Sequence, residues 1–155
     1  MRSTAFVACA VLLVACAKAE NAPSADSPAA TPTPAAPAAL SLADLAGKWS
    51  QKAYAENTDS ALVTAEVVAT PDPSGWTITL PGRPTMPLRI TVDGDSIITA
   101  SGPYESVLRK GVQVTTSGVL RMQDSKLVGI TTARYQGVTS ADSVARLRIE
   151  MVRTP

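Results

Sequence analysis

The chain has 155 residues, of which 45% are apolar, 17% charged and 4% aromatic, a composition that fits one modest globular domain plus unstructured chain. The formal net charge of +1 argues against a nucleic-acid-binding protein, which needs a basic excess to neutralise phosphates. Histidine is absent and the only cysteines are Cys9 and Cys16, so imidazole bases, histidine metal ligands, thiol nucleophiles, thiolate zinc sites and disulfides are excluded from a domain beyond residue 16.

The N-terminal segment has the pattern of a secretory signal peptide. Arg2 supplies a positive charge, and residues 6–15, FVACAVLLVA, form an uninterrupted apolar run. A helix of that length rises about 15 Å, which is half of what a bilayer crossing needs. A charged start, a short apolar core and small residues after it are typical of secretory signals.

The end of the apolar run gives a more specific indication. Leu13-Val14-Ala15-Cys16 resembles the lipobox of bacterial lipoproteins. The resemblance implies cleavage between Ala15 and Cys16, diacylglycerol modification of the Cys16 Sγ, and the new amino group as a further acylation site. Each buried methylene of such chains contributes about 0.8 kcal/mol, so two or three chains anchor a protein stably. Because Ala17 rather than aspartate follows, the resemblance favours the periplasmic side of the outer membrane in a host with two membranes.

An ordinary secretory signal, cut further on, is the alternative for this segment. In that case Cys9 and Cys16 are merely small apolar residues of the signal. Too few apolar residues precede Cys9 for it to end a signal core, so it is expected to be removed with residues 1–15.

Residues 16–40 form the predicted membrane attachment and tether. From residue 17 the sequence reads AKAENAPSADSPAATPTPAAPAAL, with ten alanines, five prolines and no aromatic residue. Such a segment buries too little apolar surface to offset its ordering entropy. Proline at this spacing favours an extended chain, which reaches roughly 70 Å at most. A spacer is predicted, and a proline-rich recognition peptide is the alternative.

The folded domain is predicted to span residues 41–155. SLADLAG indicates one helical turn, with Ser41 as N-cap, Asp44 in the capping-box position and Gly47 as the stop. The pattern then alternates with period two. Short turns join most strand segments, so an all-β fold is expected, an eight-stranded antiparallel up-and-down barrel. The eight predicted strands are Lys48–Ala53, Leu62–Ala69, Trp76–Leu80, Leu88–Val92, Ser96–Ala100, Val112–Met122, Lys126–Tyr135 and Ser143–Val152.

Two connections are longer than the others. The segment 81–87 is expected to be too rich in proline to pair with a strand. The segment 102–111 predicts a short helix, with Pro103 near its start and Gly111 after its end. Both are candidates to cover a barrel mouth, and an ordinary surface connection is the alternative for each.

The entry to the first strand carries a family resemblance. Gly47-Lys48-Trp49 resembles the Gly-x-Trp opening of calycins, the superfamily of lipocalins, fatty-acid-binding proteins and avidins. The resemblance implies that Trp49 packs at the closed end of the barrel beneath an arginine of the last strand. Arg153 shares the strand parity of Leu147, Ile149 and Met151, whereas Arg146 and Arg148 lie on the opposite face. Arg153 is therefore the candidate to stack on Trp49, an interaction of about 0.5–2 kcal/mol.

The sequence does not predict an enzyme. Without histidine, a catalytic base would have to be a carboxylate or a lysine, and neither G-x-S-x-G nor S-x-x-K occurs in the predicted domain. Asp93-Gly94-Asp95 fits a hairpin turn better than a calcium site, because the other oxygen ligands are missing. No catalytic residue, metal or cofactor is expected.

Charge is distributed unevenly along the predicted domain. Residues 41–100 hold four basic and seven acidic side chains, and residues 101–155 hold eight basic and four acidic ones. One hypothesis is a basic wall on three consecutive strands that attracts an anionic ligand, partner or headgroup. The alternative is a set of solvated outward faces. The four arginines concerned are Arg121, Arg134, Arg146 and Arg148.

Three classes of function remain open for a barrel attached to a membrane through Cys16. The first is a non-enzymatic carrier or sensor of a small apolar or anionic ligand, with Trp76, Tyr104 or Tyr135 near the mouth. The second is a protein-binding module, such as a protease-inhibitor-like barrel that contacts an envelope protein. The third is a structural envelope lipoprotein with a packed interior, which the short strands favour.

Overall fold

A computed structural model of the chain describes residues 40–155, so the predicted signal peptide, Cys16 and the predicted tether up to residue 39 lie outside the described residues. The described part is all-β, with nine antiparallel strands in one sheet. It also has a short helix α1 (Leu42–Leu45) and 3-10 turns at Pro73–Gly75 and Ser140–Asp142. The strands are β1 (Gly47–Ala55), β2 (Ala61–Ala69), β3 (Thr77–Thr79), β4 (Met86–Pro87), β5 (Arg89–Asp93), β6 (Ser96–Glu105), β7 (Gln113–Gln123), β8 (Lys126–Tyr135) and β9 (Val144–Arg153).

The sheet curls into a nearly closed barrel. Its strand order is β4-β3-β2-β1-β9-β8-β7-β6-β5, so the first and last strands of the chain pair with each other. The two ends of the sheet, β4 and β5, are separated in sequence only by Leu88, whose N–H donates to the Trp76 carbonyl 2.9 Å away. Residues 86–93 therefore run as one bent segment that pairs first with β3 and then with β6.

The predicted strand count of eight was one too low. The segment 81–87, predicted to remain unpaired, contributes β4, in which Met86 pairs with Ile78 and Pro87 with Thr77. Proline is tolerated there because β4 lies at an end of the sheet, where one side of the strand needs no backbone donor.

The helix predicted over residues 102–111 was wrong. Strand β6 runs through Glu105, and the residues that follow form an irregular loop. The Ser106 Oγ accepts hydrogen bonds from the backbone N–H groups of Leu108 and Arg109, both at 3.1 Å. A serine side chain that satisfies these donors offers the backbone an alternative to a helix.

The barrel has two unlike ends. At the closed end lie α1, the first residues of β1 and the last residues of β9, whereas the mouth carries the longer loops 56–60, 80–85, 106–112 and 136–143. Inward side chains alternate with outward ones along the strands, as the period of two predicted. Within the described residues, no helix is long and apolar enough to cross a membrane.

Candidate functional site

The closed end is built around Trp49. This side chain is 1% exposed, and its indole N–H donates to the Leu45 carbonyl at 2.9 Å. The Cζ of Arg153 lies 4.6 Å from the centre of the Trp49 ring, which is the contact that the strand parity predicts. Arg153 also donates to the carbonyl oxygens of Asp44, at 2.6 Å, and Ala46. One guanidinium thus covers the tryptophan and satisfies carbonyls at the end of α1.

The glycine of the Gly-x-Trp pattern has a steric role. Gly47 is the first residue of β1, with φ +136°, rather than a helix stop after α1. An added Cβ would lie 2.8 Å from the Arg153 Nη1, so a side chain here would displace the guanidinium.

The capping box predicted at the start of α1 is absent, because the Ser41 side chain makes no cap hydrogen bond.

Trp76 is a core residue and does not lie at the mouth, contrary to the prediction. It is 1% exposed, packs in the main core, and donates its indole N–H to the Thr70 carbonyl at 2.8 Å. Trp76 precedes the buried Ile78 by two residues and shares its inward parity. Parity does not specify depth along the barrel axis, and the pairing of Thr77 with Val68 puts this residue towards the closed end.

A cavity of about 70 Å³ lies inside the barrel on the mouth side. Aliphatic side chains form much of its wall, and none of the described residues that line it is charged. Tyr104 and Tyr135, both predicted mouth residues, are among the lining residues. The polar lining residues are Gln51, Thr99, Ser101, Tyr104, Ser106, Thr116, Thr131 and Tyr135.

Two threonine hydroxyls converge above a glycine in the cavity wall. Thr99, Gly118 and Thr131 are paired in one row across β6, β7 and β8. A Cβ on Gly118 would lie 2.4 Å from the Thr131 Oγ1 and 3.0 Å from the Thr99 Oγ1. The absence of a side chain at Gly118 therefore leaves room for both hydroxyls. Threonine occurs on both the inward and the outward face of strands. The sequence therefore gave no signal for this row, and it was not predicted.

Tyr104 is positioned by a bulge in β6. The pairing of β6 with β7 shifts between Ser101 and Tyr104, and Gly102 has φ +102° with no room for a Cβ beside the Val114 carbonyl. Burial raises the pKa of the Tyr104 hydroxyl, and the hydrogen bond to Thr116 opposes this effect only in part. Tyr104 therefore remains protonated near neutral pH and presents a neutral hydroxyl.

The residues 106–112, which we name the cover loop, lie over the mouth side of the cavity. Ser106, Val107 and Leu108 line the cavity, and Val107 packs against the main core. At the base of the loop, Glu105 accepts hydrogen bonds from the Gly111 N–H at 3.0 Å and from Arg83 at 3.1 Å. The Arg83 hydrogen bond, followed by that from the Gly111 N–H, lowers the pKa of the Glu105 carboxyl.

Arg109 fastens the far side of the cover loop. Its Cζ lies 4.2 Å from the centre of the Tyr135 ring, and its Nη1 donates to the Asp142 carbonyl at 2.9 Å. The loop is thus held to β8 and to the 136–143 connection by one side chain. Tyr135 is 7% exposed, whereas the hydrogen bond to the Asp142 carbonyl is exposed to solvent.

The arginines of the predicted basic wall lie on outward positions and do not line the cavity. Three of them pair with carboxylates from residues 41–100, so the two charge excesses largely offset each other. The pairs are Arg121 with Asp95 at 3.3 Å, Arg146 with Glu56 at 3.5 Å and Arg148 with Asp59 at 3.2 Å. Arg134 forms no ion pair with any residue of the range 40–155.

The part of the chain that the structure describes contains no group of three side chains placed to hold a metal ion. Comparisons of the chain with protein-family models, with curated proteins and with solved structures each find no match. Its function must therefore be inferred from the geometry of the barrel and from the N-terminal sequence.

Proposed function

We propose that the chain is a membrane-anchored, extracytoplasmic lipoprotein whose barrel binds a small, largely apolar molecule beneath the cover loop. The observation that carries this proposal is the band of inward hydroxyl and amide groups on an uncharged, otherwise aliphatic cavity wall. An apolar wall with a few polar groups is typical of small-molecule sites. No fully buried side-chain nitrogen or oxygen atom of the described residues lacks a hydrogen-bond partner, so the barrel accommodates these groups without a ligand, and those that face the cavity supply the polar contacts that orient one.

The closed end supports the assignment of the barrel as calycin-like. Gly47, Trp49 and Arg153 combine there as the calycin resemblance implies, and the first and last strands of the chain pair beside them. In this proposal the closed end is the rigid base, and ligand exchange takes place on the opposite side.

The size of the cavity sets the main condition on this proposal. A volume of about 70 Å³ holds a few water molecules, whereas small-molecule pockets usually measure about 300–1,000 Å³. Binding therefore requires the wall or the cover loop to move. If it does not move, the barrel is a packed structural module, which is the second candidate and is favoured by this small volume.

A neutral fluorescent probe separates the two candidates. We expect N-phenyl-1-naphthylamine to bind the chain carrying Cys16→Ser, in solution and without detergent, with enhanced fluorescence. Gly118→Ala places a methyl group between the Thr99 and Thr131 hydroxyls and should weaken binding by about tenfold, or about 1.4 kcal/mol.

The matched control is Ser117→Ala, one residue earlier on β7 and exposed on the outer face, which should leave binding unchanged. Near-ultraviolet circular dichroism verifies that both variants are folded. Absence of probe binding to the unsubstituted barrel would favour the packed structural module.

The membrane anchor has its own test. Cys16→Ser should abolish incorporation of labelled palmitate and release the protein from the membrane fraction, because the anchoring thiol is lost. Cys9→Ser is the matched control, since Cys9 lies within the predicted signal, and it should be labelled and sorted normally. Continued labelling of the Cys16→Ser variant would refute the lipoprotein assignment.

A further inference from the structure

The barrel wall has a seam between β4 and the last part of β6. Backbone pairing of β5 with β6 ends at Arg89 and Ala100, yet β6 continues to Glu105. On the other side of this gap, β4 is paired with β3. Across residues 101–105, no ladder joins β6 to β4 among the strand pairings of the described residues. We use "seam" for this gap between Met86–Pro87 and residues 101–105.

Few hydrogen bonds hold the seam together. The Ser101 Oγ donates to the Pro87 carbonyl across it at 3.4 Å, which is a long hydrogen bond. Nearer the mouth, the ion pair of Arg83 and Glu105 bounds the gap. Widening the seam between these points breaks one weak hydrogen bond, whereas widening a long ladder of the wall, such as that of β6 with β7, breaks several backbone hydrogen bonds.

An open groove of about 340 Å³ lies on the outer side of the seam. Its wall includes three prolines, Met86, Arg89 and the Tyr104 side chain. Ser101 and Tyr104 line both this groove and the interior cavity. The groove and the cavity are therefore two sides of the same stretch of wall.

Arg89 gives the groove a distinct chemistry. It is the only charged residue among the described residues that line the groove, it is exposed, and it forms no ion pair within residues 40–155. Arginine binds carboxylate, sulfate and phosphate groups through paired N–H donors. Arg121, Arg146 and Arg148, by contrast, already have carboxylate partners.

We propose that the seam is the entrance and the outer half of the ligand site, and that the ligand is an apolar molecule ending in one oxyanion. The apolar body passes between β4 and β6 into the uncharged cavity, while the oxyanion stays outside on Arg89. This inference rests on the proposed function and adds to it the route of entry and the charge of the ligand. The fastened cover loop remains in place during entry.

The charge is tested with two probes that share one skeleton. N-phenyl-1-naphthylamine is neutral, and 8-anilino-1-naphthalenesulfonate is the same amine with one sulfonate. We expect the sulfonate to bind the Cys16→Ser chain about tenfold more tightly than the neutral probe, and Arg89→Gln to remove this preference while leaving the neutral probe unaffected. Arg134→Gln, which removes the β8 arginine that forms no ion pair within residues 40–155, should preserve the preference.

The route is tested by blocking the groove. Ala100 lines the groove on the outer face of β6, and Ser117 is its paired neighbour on β7 away from the groove. Ala100→Trp should slow association of the neutral probe in stopped-flow fluorescence by about tenfold, whereas Ser117→Trp should not, because only the first substitution fills the entrance.

The outcomes separate this inference from the proposed function. If the neutral probe binds, but the sulfonate is not preferred or Arg89→Gln changes nothing, the role of Arg89 is refuted while the cavity proposal stands. If Ala100→Trp and Ser117→Trp associate equally fast, the seam is not the entrance. If neither probe binds the unsubstituted barrel, the proposed function and this inference both fail.

Discussion

The closed end and the mouth of this barrel both use arginine against an aromatic ring, with different results. At the closed end, Arg153 covers a tryptophan that is 1% exposed and donates to two carbonyl oxygens at the end of α1. At the mouth, Arg109 covers Tyr135 and donates to one carbonyl of a surface connection. The first arrangement joins a helix to the core, and the second holds a loop above a cavity.

This difference indicates where stability and function reside. At the closed end, large apolar side chains are buried, and the indole N–H groups of Trp49 and Trp76 are hydrogen-bonded to backbone carbonyls. The mouth side keeps hydroxyl groups directed at a small cavity and depends on surface contacts for its cover. We therefore expect substitutions at the closed end to change global stability, and substitutions on the mouth side to change local opening and binding.

The largest expected effect is that of Trp49→Ala. Truncation of this buried side chain should lower the free energy of unfolding by about 3–5 kcal/mol, because it leaves a cavity and removes the partner of Arg153. Urea denaturation monitored by circular dichroism measures the change. Tyr54→Ala, on the outer face of the same strand, is the control and should cost about 1 kcal/mol. Similar losses for both variants would contradict the special role of the closed end.

A smaller effect is expected for Arg153→Met, which retains much of the aliphatic stem. We expect the free energy of unfolding to fall by about 1–2 kcal/mol. The cation–π contact is lost, and the carbonyl oxygens of Asp44 and Ala46 lose their hydrogen-bond donor. Arg153→Lys should recover only part of the loss, since an ammonium cannot reach both carbonyls with the planar geometry of guanidinium. Equal stability of the Met variant and the parent chain would show that Trp49 acts alone.

The smallest effect is expected at the base of the cover loop, where Glu105 titrates. Its folded pKa lies below the ordinary value of 4.5, because Arg83 and the Gly111 N–H bind the ionised carboxylate. These contacts stabilise the loop above the ordinary pKa, and the stabilisation is lost as pH falls through the depressed folded value. The Gly111 amide resonance should therefore titrate with a midpoint below 4.5.

Arg83→Gln is the control for this titration. Removal of the first and largest cause of the shift should move the Gly111 midpoint up towards the ordinary value. A midpoint at or above 4.5 in the unsubstituted chain would show that the contacts of Glu105 do not persist in solution.

The sequence predicted the all-β antiparallel architecture and the inward face of the last strand, since alternation is a local property. It placed Trp49 and Arg153 correctly, because first and last strands meet when a meander closes. It failed at one position that depends on long-range pairing and at one where local side-chain hydrogen bonds compete with a helix. Pro87 pairs because it lies at a sheet end, and residues 106–112 avoid a helix because Ser106 takes up their donors.

The candidate site was less predictable than the fold. Tyr104 and Tyr135 were predicted near a mouth and do line the cavity, whereas Trp76 lies deep in the core. The row of Thr99, Gly118 and Thr131 had no recognisable signal, because threonine fits either face of a strand.

By itself, the sequence determined the alternating strands, the exclusion of histidine and cysteine chemistry from the domain, and the lipobox-like motif at Cys16 as a testable prediction. These are properties of composition, local periodicity and a short linear motif. Only the tertiary structure decided that three of the arginines pair with carboxylates, that hydroxyls converge on Gly118, and that backbone pairing is interrupted between β4 and the last part of β6. Those features depend on strand register and on where pairing stops, which are set by contacts between residues far apart in the chain.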